Sequence, residues 1–236
     1  MPSSYSIDDK ELGEVLIRER RGTSRFSARW KDGHLVVLTP IGVSRAETLR
    51  ALNTMRPRLI ARRPPAMFTP GQVLSLDGGI TYHFELSRLH PDKILIHPSP
   101  DGGVVRIGSD IPLGTSATDA AISRLLLMSA SNLAERHIIP RAQSLAATLK
   151  LKVRGWRITR GKRTLGTCSA SRVISLSSLL IFLPADLRDY IIYHELAHLT
   201  EMNHSPRFHA LCNAYCQGRE AEFIGRLRTF SWPILR

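Results

Sequence analysis

The stretch His194-Glu195-Leu196-Ala197-His198-Leu199-Thr200-Glu201-Met202-Asn203-His204-Ser205-Pro206-Arg207-Phe208-His209 decides the reading of this chain. On a helix, His194 and His198 sit one turn apart on the same face, so both imidazoles can reach one cation while Glu195 points into the neighbouring sector. This is the layout of a zinc hydrolase. His204 follows after five intervening residues. Around it, Asn203, Ser205 and Pro206 read as a turn able to fold a third imidazole back onto the metal.

With nine His and ten Glu in 236 residues, a chance His-Glu-x-x-His is expected roughly 0.015 times, so the match is not composition noise. The local context agrees. Pro184 stands at a first helical position, and Leu187, Tyr190, Ile191 and His194 follow at helical spacing, as a paired-ligand helix requires. Three neutral imidazoles leave zinc a fourth position for water, whose pKa the ion lowers. Glu195 is then the candidate general base, able to take that proton and return it to a leaving amine. Two alternatives for the third ligand stay open. His209 would lie one turn into a helix capped by Ser205 and begun by Pro206, and Glu201 could also ligate. Asn203, Arg207 and His209 are all near enough in sequence to stabilise an oxyanion, and spacing singles out none of them.

The segment from His194 to Phe208 resembles the signature of the YgjP-like zincin metallopeptidases of bacteria, distant relatives of the SprT-like proteases. Leu165-Gly166-Thr167-Cys168-Ser169 is similar to that family's Trp-Gly-Ser-Cys-Ser strand, and Val173-Ile174-Ser175-Leu176 with the run to Tyr190 is similar to the strand and helix after it. The resemblance implies a metal held by His194, His198 and His204, a catalytic Glu195, and a β-rich N-terminal part ahead of a compact zincin domain. Thr164 and Leu165 stand where the family usually has Arg and Trp, so substrate contacts made there by relatives do not carry over; Arg163 stands next door.

Composition bounds the remainder. At 236 residues and 43% hydrophobic content the chain can bury a proper core, and two small domains are expected, a β-rich 1–112 and a metal-dependent hydrolase domain 113–236. Three cysteines without a paired framework suit a reducing compartment, and Cys212 and Cys216, one helical turn apart, read as buried apolar residues. The N-terminus lacks a basic start followed by an apolar stretch, and no run approaches a membrane span. The expectation is a soluble, cytoplasmic protein. A net charge of +13, carried by 27 Arg and six Lys grouped at 18–29, 56–63 and 150–163, makes nucleic acid or another polyanion a candidate partner. Aromatics are only 6% of residues, so Trp30 and Trp156 give little support for base stacking. The isolated His34, His83, His90, His97 and His137 have no metal spacing with one another.

Along the chain, 15–17, 26–30 and 34–38 read as strands, the last two joined by a turn at Asp32-Gly33. A helix over 44–60 should end or bend at Pro57, and 62–70 is a proline-punctuated connector. Strands follow over 73–76, 80–86, 93–97 and 104–107. A long helix opens with a capping box of Ser116 and Asp119, and Pro140 starts a separate short helix. Strands over 150–159 and 171–182 precede two metal-site helices. The sum is an α+β chain, β-rich first and then zincin-like. The expected activity is peptide-bond cleavage of an extended polypeptide using one Zn2+ ion. The competing readings are a metal-dependent nucleotide phosphohydrolase, in which arginines hold phosphates, and a non-catalytic nucleic-acid adaptor that keeps the metal for folding.

Overall fold

In the N-terminal region the apolar runs are short, and most of them form strands. The computed structural model describes residues 4–31, 34–62, 65–161 and 163–235. They form two units, Met1–Pro70 with Leu86–Ile94 and Ile107–Ile122, and Gly71–Glu85 with Leu95–Arg106 and Ser123–Arg236. The first holds β1 (Ser4–Asp9), β2 (Gly13–Glu19), β3 (Ser27–Lys31) and β4 (His34–Thr39), ordered β1-β2-β4-β3. The β2/β4 pair is parallel and the outer pairs are antiparallel. Consecutive Leu35, Val36 and Val37 are all buried, as an interior strand covered on both faces demands. The expected turn at Asp32-Gly33 lies outside the described residues, although Lys31 and His34 on either side of it are paired. Strand β1 was not expected: its SYSIDD sequence alternates exposed and half-buried residues and carries little apolar signal.

Helix α1 (Arg45–Ala61) starts in a reciprocal capping box: Ser44 Oγ accepts from Glu47 N–H at 3.2 Å and Glu47 Oε2 from Ser44 N–H at 2.9 Å. The sequence predicts a stop or bend at Pro57, but the helix runs past it to Ala61. Leu52 and Leu59, on either side of the proline, are both buried in the unit's core with Leu12, Val15, Ile17, Leu35 and Val37. Trp30 Nε1 donates to Leu59 O at 3.0 Å, which holds the final turn against the sheet. These contacts offset the roughly 3 kcal/mol an interior proline costs.

A second four-stranded sheet, ordered β5-β6-β8-β7, comprises β5 (Val73–Leu76), β6 (Ile80–Ser87), β7 (Ile94–Ser99) and β8 (Gly102–Gly108), close to the expected positions. Helix α2 (Ser116–Thr148) follows. Thr115 rather than Ser116 caps it, its Oγ1 accepting from Thr118 N–H at 3.1 Å. The separate helix expected from Pro140 does not form, because α2 is continuous through that residue. Its buried stripe of Ile122, Leu126, Ala130, Leu133, Ala134, Ile138, Ala142 and Leu145 extends on both sides of the proline, and that burial outweighs one lost backbone bond.

Strand β9 (Gly155–Thr159) is half the length predicted over 150–159, since Lys150 takes a left-handed conformation (φ 55°) at the end of α2. The sheet β10-β11-β9 sets β10 (Gly166–Cys168) antiparallel and β9 parallel to β11 (Val173–Ser177). The predicted strand over 171–182 stops at Ser177, whose Oγ accepts from Leu179 N–H at 3.2 Å and turns the apolar run Ser178–Phe182 into a buried 3-10 helix. Three helices close the chain: α3 (Ala185–Ala197), α4 (Pro206–Tyr215) and the unanticipated α5 (Glu220–Thr229). The fold is thus α+β, with sheets early and helices late. No helix among the described residues is long and apolar enough to cross a membrane.

An ion pair pins the β1–β2 turn onto α1. Arg56 reaches Asp9 through two bonds, of 2.8 and 2.6 Å, and Glu11 at 2.9 Å. The Arg56 guanidinium holds the Asp9 carboxyl down at about 2 against the opposing effect of burial, and the Leu12 and Glu11 amides add to the lowering. Because the folded value lies below the ordinary 3.8, this contribution is complete above that pH and is lost as pH falls through 2. Allowing for partial exposure of the pair, it is worth ~1–2 kcal/mol. Asp9→Asn should therefore lower the melting temperature at pH 6 and flatten the loss of stability between about pH 4 and 2. An acid limb identical to that of the parent would refute the assignment.

Candidate metal centre

Helix α3 carries the first two imidazoles. Pro184 occupies its N-cap and offers no side-chain hydrogen bond; instead Asp77 Oδ2 accepts from Ala185 N–H at 2.7 Å. Leu187, Tyr190, Ile191, Ile192, Leu196 and Ala197 are all buried, so the helix is enclosed on most of its circumference. Its C-cap is His198 itself. The chain then turns through Leu199–Glu201 and resumes as α4, where Ser205 Oγ accepts from Phe208 N–H at 3.3 Å with Pro206 at the first position, as the sequence predicts. Ending α3 at His198 frees the next six residues to double back and deliver His204.

One nitrogen from each of His194, His198 and His204 lies within 4.8 Å of the others, and they form the sole group of three or more His, Cys, Asp or Glu ligand atoms so placed among the described residues. His194 Nε2 and His204 Nε2 are 3.0 Å apart, close to the roughly 3.3 Å expected between adjacent nitrogens around a tetrahedral ion with bonds near 2.05 Å. His198 Nδ1 lies 3.1 Å from Glu201 O. A carbonyl can only accept, so Nδ1 carries the proton and Nε2 keeps its lone pair for an ion. Burial, followed by the neighbouring imidazoles of His198, His204 and His209, pulls His194 down to about 4, and burial lowers His198 as well. Imidazole nitrogens converging on one point are the donor set a divalent cation requires, and the residues present fit one.

Glu195 is 5% exposed, and burial holds its carboxyl up at about 7. It packs on β10: a Cβ built at Gly166 would stand 2.6 Å from Glu195 Oε1 and from its Cγ, so no residue other than glycine fits there without displacing the carboxylate. Cys168, on the same strand, has its thiol pushed up by burial and then by the Glu195 charge. His209 stands apart from the three-imidazole group, its Nδ1 lying 2.9 Å from Glu220 Oε1. Glu201 faces Arg207 at 3.4 Å, while Asn203 is exposed. Arg163 is exposed ahead of β10, and Thr164 and Leu165 line a cleft with His194 and Glu195.

Three further residues build the site in ways that spacing alone does not assign. Phe208 is fully buried with its ring centroid 4.8 Å from that of His194, 4.4 Å from His198 and 4.7 Å from His204, making one aromatic floor beneath all three. Sequence periodicity places it on a buried stripe, but not under these rings. Arg172 takes φ 62° in the β10–β11 turn and donates to Lys152 O at 3.0 and 2.9 Å and to Leu199 O at 3.2 Å, anchoring the chain immediately after His198. Gly166 is the third.

The YgjP-like metallopeptidase domain family matches residues 25–222. The chain belongs to that family and is a metallopeptidase, and membership implies a divalent metal. Two crystal structures of metallopeptidase zymogens are similar to a part of it. Abylysin of Pyrococcus abyssi is 26% identical over 37% of this chain and 89% of its own, with a TM-score of 0.34. Jannalysin of Methanocaldococcus jannaschii is 22% identical over 36% of this chain and 92% of its own, with a TM-score of 0.31. No curated protein matches the chain.

Phe208→Leu should leave the chain folded while weakening its affinity for a divalent ion by about 10- to 100-fold, the range typical of lost support behind a ligand. Competition with a chromophoric chelator measures this, and an unchanged affinity would remove Phe208 from the site.

Proposed function

We propose that the protein is a zinc-dependent metallopeptidase in which His194, His198 and His204 hold one Zn2+ ion and Glu195 is the general base. The observation that carries this reading is the convergence of three ring nitrogens within 4.8 Å beside a carboxyl that burial holds near neutrality. When bound, zinc supplies Lewis acidity, polarising a carbonyl and bringing the pKa of water towards neutral. All else falls to the chain. The Glu195 carboxylate accepts a proton from the attacking water and passes it to the departing amine nitrogen, one residue thus serving as base and then as acid. Its buried setting suits both roles, because a carboxyl with a value near 7 gives up and takes protons with comparable ease. The Glu201 carbonyl holds the His198 ring in one tautomer throughout.

Strand β10 is the end strand of its sheet and brings Gly166 against Glu195. An extended polypeptide laid along its open edge would present a scissile carbonyl to the carboxylate, with backbone hydrogen bonds fixing its direction. This favours a polypeptide over a nucleotide as substrate.

Protein purified without chelator should contain one equivalent of zinc and should lose activity on unfolded polypeptide when that zinc is stripped. Glu195→Gln should keep the zinc and lower kcat by about 10²- to 10⁴-fold. Turnover at the parent rate in that variant would exclude Glu195 as the base, and zinc-free active protein would exclude the metal.

A further inference from the structure

The cleft beside Glu195 has a composition that the chemistry of bond cleavage does not require. It has a volume of about 440 Å³, and its walls include Gly166 of β10, Ile191 and Glu195 of α3, and Ile224, Leu227 and Arg228 of α5. Roughly 150 Å³ is enough for a benzene ring, so a large side chain fits with space to spare. Ile224 and Leu227 are half-buried while Arg228 is exposed. The neighbouring arginines are engaged elsewhere: Arg219 pairs with Glu222 at 2.8 Å, and Arg226 pairs with Asp186. Arg228 has no ion pair among the described residues. The cleft therefore has an apolar floor made by α5, a catalytic carboxyl in its wall and one free guanidinium among its lining residues.

We propose that this cleft is the specificity pocket of the peptidase, seating a large apolar side chain next to the scissile bond, with Arg228 pairing a carboxylate on the adjoining substrate residue. The preferred substrate is thus an unfolded segment in which an apolar residue is followed or preceded by an acidic one. The proposal rests on the reading of Glu195 as the base. It deepens that reading by assigning selectivity to α5, an element outside the His-Glu-x-x-His segment. Apolar desolvation in the floor discriminates by volume, and an unpaired guanidinium gives a bidentate partner for a carboxylate.

Two measurements decide it. In the first, cleavage sites in an unfolded polypeptide are mapped for the zinc-loaded protein and for Leu227→Arg and Arg228→Glu. The parent should cut beside Leu, Ile, Phe or Met at least 10-fold more often than beside charged residues. Leu227→Arg should move the preference towards acidic side chains, a gain that mere destabilisation cannot produce, and Arg228→Glu should turn the adjoining acidic preference into a basic one. Site preferences unmoved by either variant would overturn the pocket while leaving the peptidase intact. In the second, calorimetry follows binding of apolar–acidic and apolar–basic peptides to zinc-loaded Glu195→Gln protein. Affinity at least 10-fold higher for the acidic peptide, lost in the Arg228→Glu background, supports the pocket whatever turnover Glu195→Gln retains, and that turnover tests the base separately. Equal affinities for the two peptides would overturn the pocket.

Discussion

Three imidazoles that converge on one point, as those of His194, His198 and His204 do, need a chain path that a single helix cannot supply, and the surrounding elements provide it. A helix alone can supply two such rings, one turn apart, and no more. The third must come from chain that has left the helix and returned. Here α3 stops at His198, the backbone turns within a few residues, and α4 opens at Ser205 directly after His204. Phe208, in the first turn of α4, then fills the space beneath all three rings. A polar or smaller residue there would leave the imidazoles free to rotate, so an apolar contact fixes a polar geometry.

The same packing sets the electrostatics. Enclosure of α3 withdraws water from His194 and from Glu195, pushing the imidazole down and the carboxyl up. Burial is the only cause of the Glu195 shift and the largest cause of the His194 shift, to which the neighbouring imidazoles add. Gly166 makes this enclosure possible on the sheet side, because the missing Cβ is the volume into which the carboxylate fits. The hairpin turn beyond it contributes Arg172, which holds the backbone at Leu199 and so limits how far the end of α3 can fray.

What could be read beforehand and what could not divides along physical lines. The His194–His198 pair, the Ser205 cap and the β strands of the N-terminal region other than β1 were legible because each rests on local spacing or on a run of apolar residues. The grouping of His204 with them could be read from its place in a turn, whereas spacing alone does not separate it from His209, whose ring lies against Glu220. Pro140 misled, and Pro57 does not end its helix, since a local rule assigns helix ends to interior prolines whereas burial along both flanks keeps α1 and α2 continuous. The apolar run over 178–182 reads equally as strand or buried turn, and only the Ser177 hydroxyl, bonding back to Leu179, decides it. Helix α5 escaped because its Glu and Arg residues mask three apolar positions, Phe223, Ile224 and Leu227. Gly166 and Arg172 act through long-range proximity, on which no periodicity bears.

The enclosure of α3 also limits where such an enzyme can be adapted. A helix packed on most of its circumference cannot tilt or shift register without disturbing a core on several sides. Selectivity therefore has to be altered from the periphery. α5 meets that condition: Ala221, Glu222, Gly225 and Arg228 lie open to solvent, while Ile224 and Leu227 line the cleft. Residues on that open face can change in size while the helix carrying His194 and His198 stays in place, so under the proposed reading chemistry and choice of target are divided between two elements.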